Sequence, residues 1–352
     1  MSSSAKKKAY ALAGVDVDLG NTIKSGIQRL VRATHGPEVL GSIGGFGGLF
    51  RPDLSGLSDP VLVSSVDGVG TKLKVAFSVG RHDTVGQDLV NHCINDIAVI
   101  GAKPLFFLDY LASESLDPIV FKQLLLGFSK ACKAGGCALI GGETAQMPGI
   151  YKKGEYDIAG CIVGIVDRKR ILDGSAIRPG DVILGLPSNG LHTNGYSLAR
   201  KVLFEKLGLK PNSRFENGKK TIAEELLRVH RNYQPLMAAL PVGKLLAAAH
   251  ITGGGLLDNL PRVLPENCDA SIDTTSWKVP AIFQIIQKCG RVDITEMYQV
   301  FNMGIGMTLI VSEHDAIDVA RATCARVIGK IVRGQRKVRL ERLESVNKSW
   351  KT

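Results

Sequence analysis

Asp67, Gly68, Gly70 and Lys72 fall within six residues in the stretch SVDGVGTKLK (65–74). Asp67 stands where an apolar run, PVLVSSVDG (60–68), gives out. The two glycines permit close approach of bare backbone, and Lys72 offers a cation. A carboxylate, open main chain and an ammonium suit a phosphate-and-magnesium site, because Mg²⁺ takes oxygen ligands and bridges phosphates. An Asp-Gly turn followed by a surface lysine accounts equally well for the pattern.

Five other polar or glycine-rich segments bear on chemistry. Asp96 lies in NHCINDIAV (91–99), inside an apolar helical pattern where aspartate is a poor helix former. It is turned by about 100° from Ile97, which puts it on the helix rim. Glu143 follows two glycines in GGETA, at the end of an apolar strand. Asp67, Asp96 and Glu143 come from separate elements, and their convergence would make a hard-cation site. His192 is set between Asn189-Gly190 and Asn194-Gly195, a loop context that disfavours the core and suits phosphate contact or proton movement near neutral pH. The glycines of ITGGGLLDN (251–259) precede a short helix, whose amides attract anions; tight backbone packing competes as an explanation. The other histidines show no metal spacing. Finally, GSIGGFGGLF (41–50) concentrates five glycines around Phe46. Ordering glycine is entropically costly, so either a linker or a ligand-hugging loop is implied.

These residues need elements to hold them. Apolar spacing predicts a strand at 60–68, a helix at 84–102, a strand at 104–112 and a helix at 117–136 with Asp117 as cap and Pro118 in its first turn. Strands follow at 137–143 and 156–168. A domain boundary is placed at 168, giving domains 1–168 and 169–352. In the second, helices are expected at 194–207, 220–229, 234–249 and 280–289, and strands at 182–188, 269–274, 303–312 and 327–333. The alternation contains few clean βαβ repeats, so the fold class is α+β, two domains of mixed α and β structure. Neither a GxxxxGK[ST] phosphate loop nor a GxGxxG strand-to-helix turn occurs.

The chain has 352 residues, 45% of them hydrophobic, and a formal charge of +11. Lys6, Lys7 and Lys8 and the stretch 321–352 carry that excess, while residues 9–320 balance. Solvated basic ends explain such a distribution, so no nucleic-acid partner is expected. The apolar residues form no run long enough for a membrane span and no secretory leader is seen, so the expected location is the cytoplasm. Seven scattered cysteines without CxxC pairs read as reduced thiols.

Taken in order, GGFGGLF, DGVGTKLK, GQDLVNHCINDI, GAKPLFFLDYLA, GGETAQMPG, YDIAGCIVG, SNGLHTNGYSLAR, ITGGGLLDNLPRVLP and FNMGIGM make the chain resemble the phosphoribosylformylglycinamidine cyclo-ligase family over residues 10–340. The resemblance implies an ATP-binding N-terminal domain and a homodimer whose sheets join in a barrel between subunits. It implies that ATP phosphorylates the formyl oxygen of a ribonucleotide amide, after which an amidine nitrogen closes an imidazole ring. Asp67, Asp96 and Glu143 match the nucleotide–metal site, with ATP and Mg²⁺ as cofactors. Gly44, Gly45, Phe46 and Gly47 would cover the triphosphate, and Gly68, Gly70, Thr71 and Lys72 would contact it. Ser188, Asn189, His192, Thr193, Asn194, Gly253, Gly254 and Gly255 would meet the substrate, with His192, Lys72 and Asp96 in catalytic roles. Gln28 departs from the lysine of many relatives, with Lys24 as a substitute, and the basic end after residue 333 has no assigned role. The absence of a cysteine before Cys93 sets the chain apart from selenophosphate synthetase, a member of the wider superfamily.

Overall fold

A computed structural model describes residues 9–15, 18, 28–41, 44–215 and 219–344. Lys24, the N-terminal lysines and the last eight residues lie outside the described residues. Two main sheets, with a two-stranded pairing of Arg214–Phe215 and Lys220–Thr221, make up the described residues and give the expected α+β class.

The first sheet runs β1 (Pro60–Gly68), β4 (Tyr156–Asp167), β2 (Lys103–Ser113), β3 (Ala138–Gln146) in spatial order. β1 and β2 are antiparallel to β4, and β3 runs parallel to β2. Helices α1 (Leu73–Val79), α2 (Asp83–Ala98) and α3 (Pro118–Gly135) accompany it. α3 starts as its sequence demands: the Asp117 carboxylate accepts from the Ile119 and Val120 amides at 2.7 and 3.2 Å, with Pro118 in the first turn. It stops at Gly136, whose φ of 67° is left-handed. α2 and α3 touch backbone to backbone: a Cβ on Gly127 would lie 2.3 Å from the Asp83 carbonyl oxygen. α2 is therefore buried almost throughout, between α3 and the sheet.

The opposite face of this sheet is open. Exposure alternates along β1, leaving Leu62 and Val66 66% and 68% exposed, and Tyr110 of β2 is exposed as well.

The second sheet has six strands in the order β10 (Val338–Glu341), β7 (Cys268–Asp273), β9 (Arg326–Arg333), β5 (Val182–Pro187), β8 (Ile305–Val311), β6 (Ala247–His250). β8 is buried at every position. Helices α4 (Tyr196–Arg200), α5 (Gln234–Ala238), α6 (Gly255–Asn259), α7 (Ala281–Gly290), α8 (Ile294–Val300) and α9 (Ala316–Thr323) complete this half.

Several expectations need correcting. The helix expected at 234–249 ends at Ala238, and Ala247–His250 is a strand. Pro241 and Gly243 break the run, and pairing of Ala247–His250 with Ile310–Met307 overrides alanine's helix preference. The helix at 194–207 begins at Tyr196, after left-handed Gly195, and ends in a π-helical turn, Lys201–Lys206. The helix at 220–229 shrinks to Ile222–Leu226, held by a Thr221/Glu224 capping box. α8, α9 and β10 were not anticipated. The basic C-terminal stretch is not simply a solvated tail: Arg339 pairs with buried Asp269 at 2.6 Å, and the Gln335 and Lys337 amides donate to the same carboxylate. These bonds hold Asp269 down at about pKa 2, the Lys337 amide first among them.

Candidate active site

Helix α2 places most of the site. Asp88, Asn91 and Asn95 form one polar stripe along it, and His92 and Asp96 another, four residues apart. The first stripe holds the loop at 228–233 from the second half of the chain. Asp88 Oδ1 accepts from the His230 amide at 2.6 Å, and Asn91 donates to the His230 carbonyl at 2.7 Å. Asn95 donates to the Arg231 carbonyl at 2.8 Å and accepts from the Tyr233 amide at 2.9 Å. Buried polar side chains in an otherwise apolar helix are thus satisfied by foreign backbone.

From the second stripe His92 lines a cleft of about 360 Å³ between the two halves, together with Asp67, Gly68, Gly70, Thr193, Asn194 and Thr252. His92 Nε2 lies 2.8 Å from Asp67 Oδ2 and 3.8 Å from Asp96 Oδ2. His250, at the end of β6, sets Nδ1 2.7 Å from Asp96 Oδ1. His230 Nε2 is 2.9 Å from His250 Nε2, and its ring stacks on His192 with centroids 4.1 Å apart. Thr193 Oγ1 closes the ring of contacts, 2.8 Å from His92 Nδ1 and 3.3 Å from His230 Nδ1.

The charges sort accordingly. Burial would raise the Asp67 and Asp96 pKa values, but His92 and His250 outweigh it and hold both carboxyls below the usual range. Burial would lower His92, yet the bond to Asp67 and the charge of Asp96 raise it. For His192 and His230 burial wins, reinforced by neighbouring cationic and imidazole groups, and both fall well below an ordinary histidine. His250 is also lowered, by burial against the pull of Asp96.

Two catalytic expectations need correcting here. Lys72 does not reach toward a ligand. It is fully buried, pairs with Asp88 Oδ2 at 2.7 Å and donates to the His192 and Arg228 carbonyls at 2.9 and 2.8 Å. All three of its donors are engaged, so it ties the two halves together. His192 is a core residue, 1% exposed, with a left-handed φ of 62° and a neutral ring. Its Nε2 accepts weakly from the Asn189 amide at 3.4 Å, while Nδ1 is buried without a partner.

The three carboxylates do not converge either. Asp67 pairs across the sheet with Gly160 and Asp109, whereas Glu143 pairs through Tyr110 and Ala159 with Gly68. Register therefore puts Glu143 on the other face and three strands away, about 14 Å at usual strand spacing. There it is exposed and lines a second cavity of about 520 Å³ with Gln28, Gly44, Gly45, Phe46, Gly47 and Asp109. Asp109 is pushed up to about 7, by burial first and then by the Glu143 charge. The glycine-rich loop thus borders a cavity, with Phe46 fully exposed above it and Gly48 pressed on Ile140 where a Cβ would clash.

The remaining residues are placed as follows. Thr71 Oγ1 meets Ser197 Oγ at 3.0 Å across the two halves. Ser188 donates to Asn302 Oδ1 at 2.9 Å, and Asn189 donates to the Val229 carbonyl at 2.7 Å, so both brace their loop. Thr193 and Asn194 line the cleft. Gly253 is exposed beside Asn194, and Gly254 has φ 94°. Gly255 is buried and serves packing: a Cβ there would lie 1.9 Å from the Tyr298 carbonyl oxygen.

His92, His230 and His250 were missed as site residues. The spacing of His92 and Asp96, one turn apart on a helix, was a readable signal; His230 and His250 meet only through the fold.

Family models for AIR synthase related proteins match both halves, the N-terminal domain over residues 54–166 and the C-terminal domain over 178–341. The phosphoribosylformylglycinamidine cyclo-ligase of Trichlorobacter lovleyi is 52% identical over 317 residues, covering 90% of this chain and 91% of the relative. The chain belongs to the phosphoribosylformylglycinamidine cyclo-ligase family. The cyclo-ligase of Pseudothermotoga lettingae is 50% identical over 94% of this chain and 98% of its own length. Among solved structures, thiamine-monophosphate kinase from Stenotrophomonas maltophilia aligns with a TM-score of 0.65 at 18% identity, covering 93% of this chain and 96% of that one. Hydrogenase maturation protein HypE in complex with ATP aligns with a TM-score of 0.62 at 18% identity, covering 88% and 86%. These two share the fold with the family. No helix among the described residues is long and apolar enough to cross a membrane.

Proposed function

We propose that this protein closes the imidazole ring of aminoimidazole ribonucleotide from formylglycinamidine ribonucleotide, consuming ATP and releasing ADP and phosphate. The observation that carries the reading is the interdomain cleft of Asp67, His92, Asp96 and His250, in a chain about 52% identical to named cyclo-ligases. An amide oxygen is a poor leaving group, and its phosphate ester a good one. The formyl oxygen therefore takes the γ-phosphoryl group, the amidine nitrogen attacks the activated carbon, and phosphate departs. Such a transfer depends on alignment and charge neutralisation more than on covalent help from the protein.

Asp67, which lines the cleft, and Asp96, which adjoins it through His92, are both held ionised and suit a divalent cation such as Mg²⁺. Bound there with ATP, the ion would offset phosphate charge. Thr193 and Asn194 border the same cleft, with Gly253 beside Asn194, and would orient the ribonucleotide. Gly44, Gly45, Phe46, Gly47 and Glu143 line a separate cavity at the sheet edge, suited to part of the nucleotide. A second copy laid on the open sheet face would cover Leu62, Val66 and Tyr110 and close over Glu143 on that face, which supports a homodimer built through joined sheets. Soluble substrates and seven free cysteines fit work in the cytoplasm.

Incubation with ATP, Mg²⁺ and formylglycinamidine ribonucleotide tests the reading by mass detection. A product lighter by one water, with ADP and phosphate in equal amount, is expected. A stable phosphorylated product would identify a kinase instead, and no nucleotide turnover would overturn the reading altogether.

A further inference from the structure

A cavity of about 470 Å³ lies in the second half of the chain and shares no lining residue with the cleft or with the sheet-edge cavity. Lys219, Lys220, Arg228 and Lys278 line it, against a single carboxylate, Glu225. That carboxylate is already engaged. The Glu225 side chain is 6% exposed, and both of its oxygens accept from Nη1 of Arg228, at 3.1 and 3.3 Å. The bonds of this guanidinium among the described residues all leave from that one nitrogen, so Nε and Nη2 remain for another acceptor.

Arg228 is also fixed from behind. Its carbonyl accepts from Lys72 at 2.8 Å, and the next carbonyl, that of Val229, accepts from Asn189 at 2.7 Å. The guanidinium is therefore set into the cavity wall by both its side chain and its backbone. Lys220 stands opposite Phe215 in the two-stranded pairing. Among the described residues, no ion pair engages Lys219, Lys220 or Lys278. Like charges gathered round a concavity repel one another, and an entering anion relieves that repulsion. The rest of the lining is apolar: Phe215, Pro280, Ala281 and Ile282. Ala281 and Ile282 begin α7, whose first turn holds no acidic residue, so its amides add to a positive field that the four cations already set.

We propose that this cavity is a second binding site, separate from the cleft, for a phosphomonoester. The phosphate meets Arg228 and the three lysines, since a guanidinium with free donors binds phosphate oxygens in pairs. The organic group lies on Phe215, Pro280 and Ile282. The volume falls within the range of small-molecule pockets, and a bare phosphate ion would leave the apolar part of the lining uncovered.

The test uses the full chain at low ionic strength, with brief acetylation of its lysines read by peptide mass spectrometry. Phenyl phosphate at millimolar concentration should slow acetylation of Lys219, Lys220 and Lys278 together by about twofold or more, with exposed Lys122 and Lys133 of α3 unchanged. Benzamide, an uncharged aromatic control, should have no effect, and inorganic phosphate should need several-fold higher concentration. Arg228→Gln strips Glu225 of its partner, so Lys278→Gln, at an exposed residue, is the safer variant. It should weaken phenyl phosphate about two- to fivefold by calorimetry, with ring closure within about twofold of wild type. Failure of the three lysines to be protected together, protection by benzamide, or unchanged affinity in Lys278→Gln would each overturn the site. Equal potency of inorganic phosphate would overturn the assignment to an ester. Loss of ring closure in folded Lys278→Gln would overturn the separation from the cleft, whereas absence of ring closure in the wild type would count against the proposed function alone.

Discussion

The interdomain cleft and the sheet-edge cavity are built on opposite principles. In the cleft, four histidines, two aspartates and a threonine interlock below the surface, each fixed by a partner from another element. At the sheet edge, bare glycines and an exposed Phe46 surround Glu143 with little side-chain support. The first is ordered by buried hydrogen bonds between elements; the second is open to solvent. The difference teaches where a substitution acts: in the cleft it disturbs both fold and chemistry, and at the edge chiefly binding.

The largest effect should come from the cleft's hidden support. Lys72→Met strands Asp88 as a buried charge, and should cost about 3–5 kcal/mol in denaturant unfolding. Adding Asp88→Leu should recover much of that loss, which would separate the unpaired charge from simple packing. Unchanged stability in the single variant would mean that Lys72 is free after all.

Asp96→Asn should lower turnover by about 100-fold or more while circular dichroism stays unchanged. A near-normal rate would remove Asp96 from the chemistry and leave the cleft a structural interface.

Acid should weaken the protein through the same cluster. His192, His230 and His250 have lowered folded pKa values, so the unfolded chain binds more protons below its histidine value near 6.5. Their contribution is complete above that pH and is lost as the pH falls toward the folded values. His92 is raised and acts in the opposite sense, present below about 6.5 and lost above its folded value. Three groups against one predict stability falling between pH 7 and 5, by up to about 1.4 kcal/mol per pH unit for each unbalanced histidine. Chemical denaturation across that range checks the sign. A flat profile would contradict the neutral, buried rings.

Phe46→Ala should be the mildest change. It should raise KM for ATP a few-fold and leave unfolding within about 0.5 kcal/mol, as for an exposed side chain. A large loss of stability would show that the edge loop is part of the core and erase the contrast.

How far the sequence could be read follows from which forces are local. α3 was legible down to its Asp117 cap and terminal glycines, because caps and left-handed turns act within a few residues. The strands of the first sheet were legible from apolar runs, β-branched in β1 and β4. The alanine-rich segment before His250 was misread as helix, because its strand state depends on β8, some sixty residues downstream. Lys72 looked like a ligand cation from its glycine-rich setting, and only the arrival of Asp88 and two distant carbonyls makes it an internal tie.

By itself the chain's order of motifs determined the family, the α+β class and the helix spacing that aligns His92 with Asp96, since these are properties of neighbours along the backbone. Tertiary structure alone decided that Glu143 stands on the opposite sheet face from Asp67, and that four histidines scattered over some 160 positions share one cluster, three of them hydrogen-bonded and His192 stacked on His230. Strand register and domain contact make those choices, and both arise from pairing between segments that no local pattern records.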